Sequence, residues 1–358
     1  MRNQAVAWCL SATVLAGVGC GAGGTGTPTP TPLPLGAPIA APLNTWTFVD
    51  FPDSACDDGS ATGVAVNLSG GKDLLVYMMG GGACWDALTC AVLNTSTHGP
   101  FGKAQFDPMV AQISGTVLAR DASNPFRDFN MVFVPYCTGD VHTGDNVATY
   151  DVFGQPKKVH HKGRANLEAF LKRLAATVKS PGKLVVSGSS AGGFGTAFNY
   201  DLFRTYYPSA DGYLLDDSGP PLVGEAVPSA LRTSWTASWR LDQTLLPHCP
   251  GCSSDLSESL AGYVRTYPND HFALLSYTQD SVIRAYLGNQ APEVFQQNLY
   301  ALATKVIEPS PRFHYYFATG TAHTFLGAPA KVTSVGVNLN DWLGQFIAGD
   351  ANLKSIKP

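Results

Sequence analysis

Three serines and a group of glycines follow a short apolar run in the segment KLVVSGSSAGGFGT, residues 183–196. Only Ser190 occupies the central position of the pattern Gly-x-Ser-x-Gly, which begins at Gly188 and ends at Gly192. In that pattern a sharp turn from a strand into a helix exposes the serine hydroxyl, and a Cβ on either glycine would crowd the turn. The segment therefore predicts that Ser190 is a nucleophile for acyl transfer and that the amide of Ala191 faces the developing oxyanion.

A second glycine-rich stretch, MMGGGACWD, follows directly after the apolar run 73–79. Its glycines are in the place where lipases and esterases carry the loop that gives a second oxyanion amide. A phosphate-binding loop is the competing interpretation of a glycine cluster. That interpretation is disfavoured because SGGKD has no Ser or Thr after Lys72.

A serine nucleophile needs a base and an acid, and in this order of elements they follow the serine along the chain. His323, in ATGTAHTF, comes just after the last apolar run and is the predicted base. Asp280 follows the run 272–277, and this position favours it as the acid. Asp216 and Asp217, after the preceding apolar run, stay open as alternatives.

The elements around these residues predict an α/β fold. Between two of the apolar runs, residues 163–178 carry apolar side chains at helical spacing. Alternation of strands and helices is typical of a mostly parallel sheet with helices on both faces. Residues 220–262 interrupt the alternation, and they are either a cap over the site or further core helices. The predicted strands are residues 73–79, 129–136, 183–188, 212–216, 272–277 and 313–319.

Charge and composition exclude some partners. The chain has 358 residues, a net charge of −4 and only 14% charged residues. It has no block of Lys or Arg, so nothing predicts binding of nucleic acid or of anionic lipid. The sequence leaves the oligomeric state open.

The N-terminus predicts export. Residues 1–20 resemble a signal peptide, and LAGVGC resembles a bacterial lipobox ending at Cys20. Lipidation of Cys20, which would anchor the chain to a bacterial outer or cytoplasmic membrane, and cleavage without lipidation, which would secrete it, both stay open. Residues 21–44 are rich in Gly, Thr and Pro and predict a linker that forms no core. Residues 45–358 are the predicted catalytic domain.

Six cysteines remain once Cys9 and Cys20 are assigned to the signal segment. In an exported chain they favour disulfides. The stretch HCPGC, residues 248–252, also admits a metal site or a redox pair, but no second Cys-x-x-Cys accompanies it. We therefore predict no metal.

Five motifs in order resemble those of the pectin acetylesterase and Notum family of α/β-hydrolase-like carboxylesterases. They are GGGACWD, VPYCTGDVHTGD, HHKGRANLEAFLKRL, SGSSAGGFG and GTAHTF. The resemblance implies a triad of Ser190, Asp280 and His323. It implies an oxyanion hole around Gly81, Gly82, Ala83 and Ala191. It also implies disulfides joining Cys56 to Cys137, Cys84 to Cys90, and Cys249 to Cys252.

The sequence departs from the family's usual pattern beside the site. Ala83 stands where the family usually has Trp, which predicts a wider acyl pocket unless Trp85 refills it. The resemblance implies an exported serine carboxylesterase that needs no cofactor and acts on an ester substrate, with an acetylated saccharide as the expected one. The alternatives are a polyester depolymerase, lipase or thioesterase with the same triad, or a non-catalytic saccharide-binding lipoprotein.

Overall fold

The computed structural model describes residues 34–358, which form one compact unit. The predicted signal peptide, Cys20 and the linker as far as residue 33 lie outside the described residues. From residue 34 onward the structure differs from the predicted linker that forms no core. The Ile39 side chain is buried in the main core, and the Gly36 amide donates a hydrogen bond to the Lys172 carbonyl at 2.9 Å. A single apolar side chain among prolines gains enough from burial to dock the segment.

The described residues contain strands and helices in alternation. The strands are β1 (Thr47–Phe51), β2 (Thr62–Asn67), β3 (Leu74–Met78), β4 (Asn130–Val134), β5 (Asn146–Val152), β6 (Gln155–His161), β7 (Lys183–Ser189), β8 (Asp211–Asp217), β9 (His271–Tyr277), β10 (Phe313–Ala318), β11 (Thr333–Ser334) and β12 (Val337–Asn338). The helices are α1 (Lys103–Val110), α2 (Gly163–Thr177), α3 (Ala191–Tyr206), α4 (Ser229–Trp239), α5 (Leu241–Thr244), α6 (Glu258–Thr266), α7 (Ser281–Tyr286), α8 (Pro292–Leu302) and α9 (Leu339–Ala348).

Eight strands form the central sheet in the order β1-β2-β4-β3-β7-β8-β9-β10. The strands from β4 to β10 in this order are parallel, and β1 and β2 add an antiparallel edge. This arrangement confirms the predicted α/β class with a mostly parallel sheet. All six predicted strands are present, because strands covered on both faces are continuous apolar runs. The edge strands β1 and β2 and the separate β5–β6 hairpin were not predicted.

Each face of the sheet has its own apolar core. Along β7, Val186 belongs to the core under α2 and α3, whereas Val185 belongs to the core under α1 and α9. Successive side chains of a strand point to opposite faces, so one strand supplies both cores. The sheet is therefore held between two helical layers.

The carboxyl ends of neighbouring strands meet along one edge. Met78 of β3 pairs with Gly188 of β7, Ser189 pairs with Asp217 of β8, and Asp217 pairs with Leu275 of β9. Residues that follow these strands are thus brought together, as in other open α/β sheets.

The segment 220–262 divides between its two predicted roles. The α4 helix carries Trp235 to the wall of a cavity beside Ser190. By contrast, α6 packs through Leu260 and Tyr263 into the core that contains α3. The first part covers the site and the second is a core helix.

Within residues 34–358, no helix has the length and apolar content needed to cross a bilayer.

Candidate active site

Ser190 lies at the tight turn between β7 and α3. Its backbone has φ 60° and ψ −119°, a conformation that residues other than glycine rarely adopt. A Cβ on Gly192 would overlap the Met78 carbonyl, so only glycine allows β3 and the turn to approach this closely. The Ser190 amide donates to the Asp217 carbonyl at 2.7 Å. The turn is therefore fixed from both neighbouring strands, with the serine side chain at the cavity wall.

Asp280 and His323 lie together although 43 residues separate them. Imidazole Nδ1 is 2.7 Å from Asp280 Oδ2. The other carboxylate oxygen accepts the amides of Val282 and Ile283 at 2.9 and 3.0 Å, because Asp280 caps α7. The completely buried Asp280 is thereby fixed in one orientation, with one oxygen left for the histidine.

The hydrogen bond at Nδ1 decides what the other imidazole nitrogen can do. In the neutral tautomer that donates its Nδ1 proton to Asp280, Nε2 is the nitrogen that carries the lone pair. Among the described residues Nε2 is buried and has no hydrogen-bond partner, Ser190 Oγ included. A lone pair kept free of water and of competing donors is suited to accept a proton once a substrate is in place.

Asp217 does not contact the imidazole but fixes the loop that carries it. Its carboxylate accepts the amides of Phe325 and Leu326 at 2.9 and 3.0 Å and the Ser189 hydroxyl at 2.6 Å. Because the Asp217 carbonyl also accepts the Ser190 amide, this residue links the nucleophile turn to the histidine loop. Burial raises the pKa of Asp217, and these hydrogen bonds oppose the increase.

Asp216, the other open alternative for the acid, points away from the histidine. Its Oδ1 accepts the Gly219 amide at 2.8 Å, and its buried Oδ2 has no partner among the described residues. Burial raises the pKa of Asp216 well above its usual range. Of these three carboxylates, Asp280 is the one that hydrogen-bonds to the His323 imidazole in the described residues.

The glycine loop after β3 supplies backbone amides next to Ser190. Gly82 has φ 76°, and a Cβ there would overlap the Thr95 carbonyl. The amide of Ala83 is already bonded to Thr95, at 3.3 Å, whereas the amides of Gly82 and Ala191 have no acceptor within residues 34–358. Gly81 is not part of the cavity wall. Of the four residues expected around the oxyanion hole, Gly82 and Ala191 thus have both the position and the free amide.

His142 holds the entry to this loop, and sequence reasoning missed it. It precedes the serine along the chain, so its position does not predict a base. Its Nε2 is 2.8 Å from the carbonyl of Met79, the residue before the glycines. Burial lowers the pKa of His142 to about 4, so the ring is neutral and donates this hydrogen bond. The only signal for this role in the sequence was that His142 lies in the motif VPYCTGDVHTGD.

The cavity beside Ser190 is small and apolar. Its volume is about 30 Å³, which admits two or so water-sized groups. Phe194, Trp235, Ile283 and Tyr286 line it. Beside Ala83 the cavity is lined by Trp235 and Tyr286, and Trp85 packs behind Trp235 at 5.9 Å between ring centres.

Three disulfides are present in the described residues, and they are the pairs that the resemblance implies. They join Cys56 to Cys137, Cys84 to Cys90, and Cys249 to Cys252. Cys84 and Cys90 lie within 4.8 Å of His161. This group offers no metal ligands, because both sulfurs are in the disulfide and the His161 nitrogens contact Thr138 and Tyr150 at 2.9 Å.

Comparison with known proteins gives the family. A sequence model of the Pectinacetylesterase family matches residues 43–243, which is more than half of the chain. This match includes the glycine loop and Ser190 but ends before Asp280 and His323.

Relatives of two names match at similar identity. Palmitoleoyl-protein carboxylesterase notum2 of Xenopus laevis is 28% identical over 41% of this chain and 29% of its own length. Pectin acetylesterase 4 of Arabidopsis thaliana is 28% identical over 47% of this chain and 44% of its own length. Human palmitoleoyl-protein carboxylesterase NOTUM is 27% identical over 46% and 34%. The matched part of the chain thus spans less than half of each relative.

Proposed function

The chain belongs to the pectinacetylesterase family, and on this premise we propose that it is an exported serine carboxylesterase that removes acetyl groups from a saccharide. The observation that carries the proposal is the His323–Asp280 pair, whose buried Nε2 is left without a partner. Ser190 at its strained turn and the free amides of Gly82 and Ala191 complete the set of groups that acyl transfer needs.

The proposed reaction has two steps. Ser190 Oγ attacks the ester carbonyl carbon while His323 Nε2 takes its proton, and the amides of Gly82 and Ala191 stabilise the oxyanion. The tetrahedral intermediate breaks its bond to the alcohol oxygen, which leaves with the proton from His323. Water then attacks the acyl-serine and gives its proton to the same nitrogen. The second tetrahedral intermediate breaks its bond to Ser190 Oγ, which takes the proton back from His323, and the carboxylic acid leaves. Asp280 keeps the imidazole in the required tautomer throughout.

The size of the cavity favours a short acyl group. A space of about 30 Å³ holds the methyl group and oxygen of an acetyl ester but not the long chain named in the palmitoleoyl-protein relatives. The same limit disfavours a lipase. Three disulfides support export, since such bonds persist in oxidising compartments. The predicted signal peptide, the linker as far as residue 33 and the lipid anchor at Cys20 remain part of this proposal.

The test is hydrolysis of p-nitrophenyl acetate, butyrate and octanoate by the purified protein and its Ser190→Ala variant. We expect turnover that falls from acetate to octanoate and a loss of about 10⁴-fold or more in the variant. Ser209→Ala removes an equally small hydroxyl from an exposed position and should behave as wild type. A folded wild type with no turnover of any ester would instead favour the non-catalytic saccharide-binding alternative.

A further inference from the structure

A groove with a volume of about 840 Å³ lies beside the active-site cavity. Trp85, within the loop closed by Cys84 and Cys90, and Leu93, just after it, form one wall. Leu231 and Ser234 of α4 form another. Tyr286, at the end of α7, lines both the groove and the cavity next to Ser190. The groove and the cavity are therefore neighbours that share the Tyr286 side chain as a wall.

The groove contains no charged side chain. None of the described residues that line it is Lys, Arg, His, Asp or Glu. Charged residues next to the lining residues are engaged with other groups: the Asp86 carboxylate accepts the Thr89 hydroxyl at 2.8 Å, Lys157 donates to the Cys90 carbonyl at 3.2 Å, and Arg284 donates to the Gln290 carbonyl at 2.7 Å. With a net charge of −4 on the whole chain, nothing here compensates the charges of a polyanion.

The groove does offer aromatic faces and uncharged hydrogen-bonding groups. The rings of Trp85 and Tyr286 are part of its surface. Within residues 34–358, the Asn94 amide and the Ser234 hydroxyl make no hydrogen bond to other residues, so they can bond to a ligand. Apolar faces with a few uncharged polar groups fit a neutral sugar ring, which has apolar faces and hydroxyls at its rim.

We propose that this groove binds the alcohol part of the substrate and that this part is an uncharged polysaccharide carrying pendant acetyl groups. The assignment rests on the proposed esterase function and deepens it. An acetyl group ends within the cavity of about 30 Å³, while the chain that bears it extends through the larger groove. In a polyester the acyl part continues as polymer, and the small cavity offers no path for it.

The first test compares polymers. The probes are acetylated xylan oligosaccharides, acetylated oligogalacturonides of the same length and poly(3-hydroxybutyrate), and p-nitrophenyl acetate reports on the triad alone. We expect acetate release from xylan to exceed release from the galacturonides by about tenfold or more in kcat/KM, since the groove has no cation for the uronate charges. A faster rate on galacturonides, hydroxyacid release from the polyester, or no reaction with any polymer would each overturn the groove assignment. Failure to hydrolyse p-nitrophenyl acetate would overturn the esterase function itself.

The second test alters the groove. In Trp85→Ala, the ratio of xylan deacetylation to p-nitrophenyl acetate hydrolysis should fall about tenfold, as expected when roughly 50 Å² of apolar contact is lost. Trp46→Ala, in the core on the other face of the sheet, is the matched control and should leave the ratio unchanged. Leu93→Lys should raise galacturonide deacetylation several-fold, whereas Val110→Lys, also exposed but on α1, should not. Equal losses on both substrates in Trp85→Ala would overturn the assignment.

Discussion

The ends of β8 and β9 carry the same residue type in similar burial but use it differently. Asp217 ends β8 and Asp280 follows β9, and both carboxylates are completely buried. Asp280 divides its oxygens between two helix amides and one imidazole. Asp217 uses both oxygens for backbone amides and hydroxyls of the surrounding loops. The difference shows that partners, more than burial, separate a carboxylate that acts on a base from one that holds the site together.

Replacing Asp280 by Asn should have the largest effect on catalysis. Asn can keep its oxygen on the Val282 and Ile283 amides, but its NH₂ group would then face imidazole Nδ1 and favour the tautomer with the proton on Nε2. We expect kcat for p-nitrophenyl acetate to fall by about 10⁴-fold with little change in Tm. Asp53→Asn, on an exposed loop, is the control. A loss below tenfold would remove Asp280 from the triad.

Replacing Asp217 by Asn should reduce both activity and stability, and we expect the second-largest effect from it. Oδ2 accepts from Phe325, Leu326 and Ser189, and Oδ1 accepts from Phe325 and Ser218, so an amide with one oxygen leaves one of these two sets of donors facing its NH₂ group. We expect a loss of roughly 2–3 kcal/mol in the free energy of unfolding and a fall in kcat of about 10–100-fold. Thermal unfolding and kinetics on the same samples measure both. A variant with wild-type Tm and a loss of kcat as large as in Asp280→Asn would make Asp217 the acid instead.

Replacing Asp216 by Asn should have the smallest effect of the three substitutions, and it should raise stability instead of lowering it. Because burial raises its folded pKa, the native state binds more protons than the unfolded state from about pH 4 upward, and stability decreases as pH rises through that window. Asn at this position stays neutral at every pH and retains the acceptor for the Gly219 amide. We therefore expect the Tm of Asp216→Asn, relative to wild type, to increase between pH 4 and pH 8 by the equivalent of about 1 kcal/mol or more. A difference in Tm that does not change with pH would contradict the raised pKa.

Local patterns in the chain were sufficient for much of this structure. Six central strands and the helix after Ser190 follow from apolar runs and helical spacing, because strands buried on both faces leave little room for polar residues. The hairpin β5–β6 was missed, since its second strand begins QPKK and half of its residues are exposed. Edge strands depend on their neighbours more than on their own composition.

The sequence by itself determined the α/β class. It also determined the turn that exposes Ser190, because Gly188 and Gly192 lack the Cβ that would overlap the neighbouring backbone. It also placed His323 and Asp280 at the same edge, since the carboxyl ends of parallel strands meet there. Only the tertiary structure showed that Asp280, and not Asp217, bonds to His323, that the Ala83 amide bonds to Thr95, and that Trp235 and Tyr286 line the cavity. These outcomes depend on contacts between residues distant in the chain, and neither spacing nor composition specifies which side chains fill the same space.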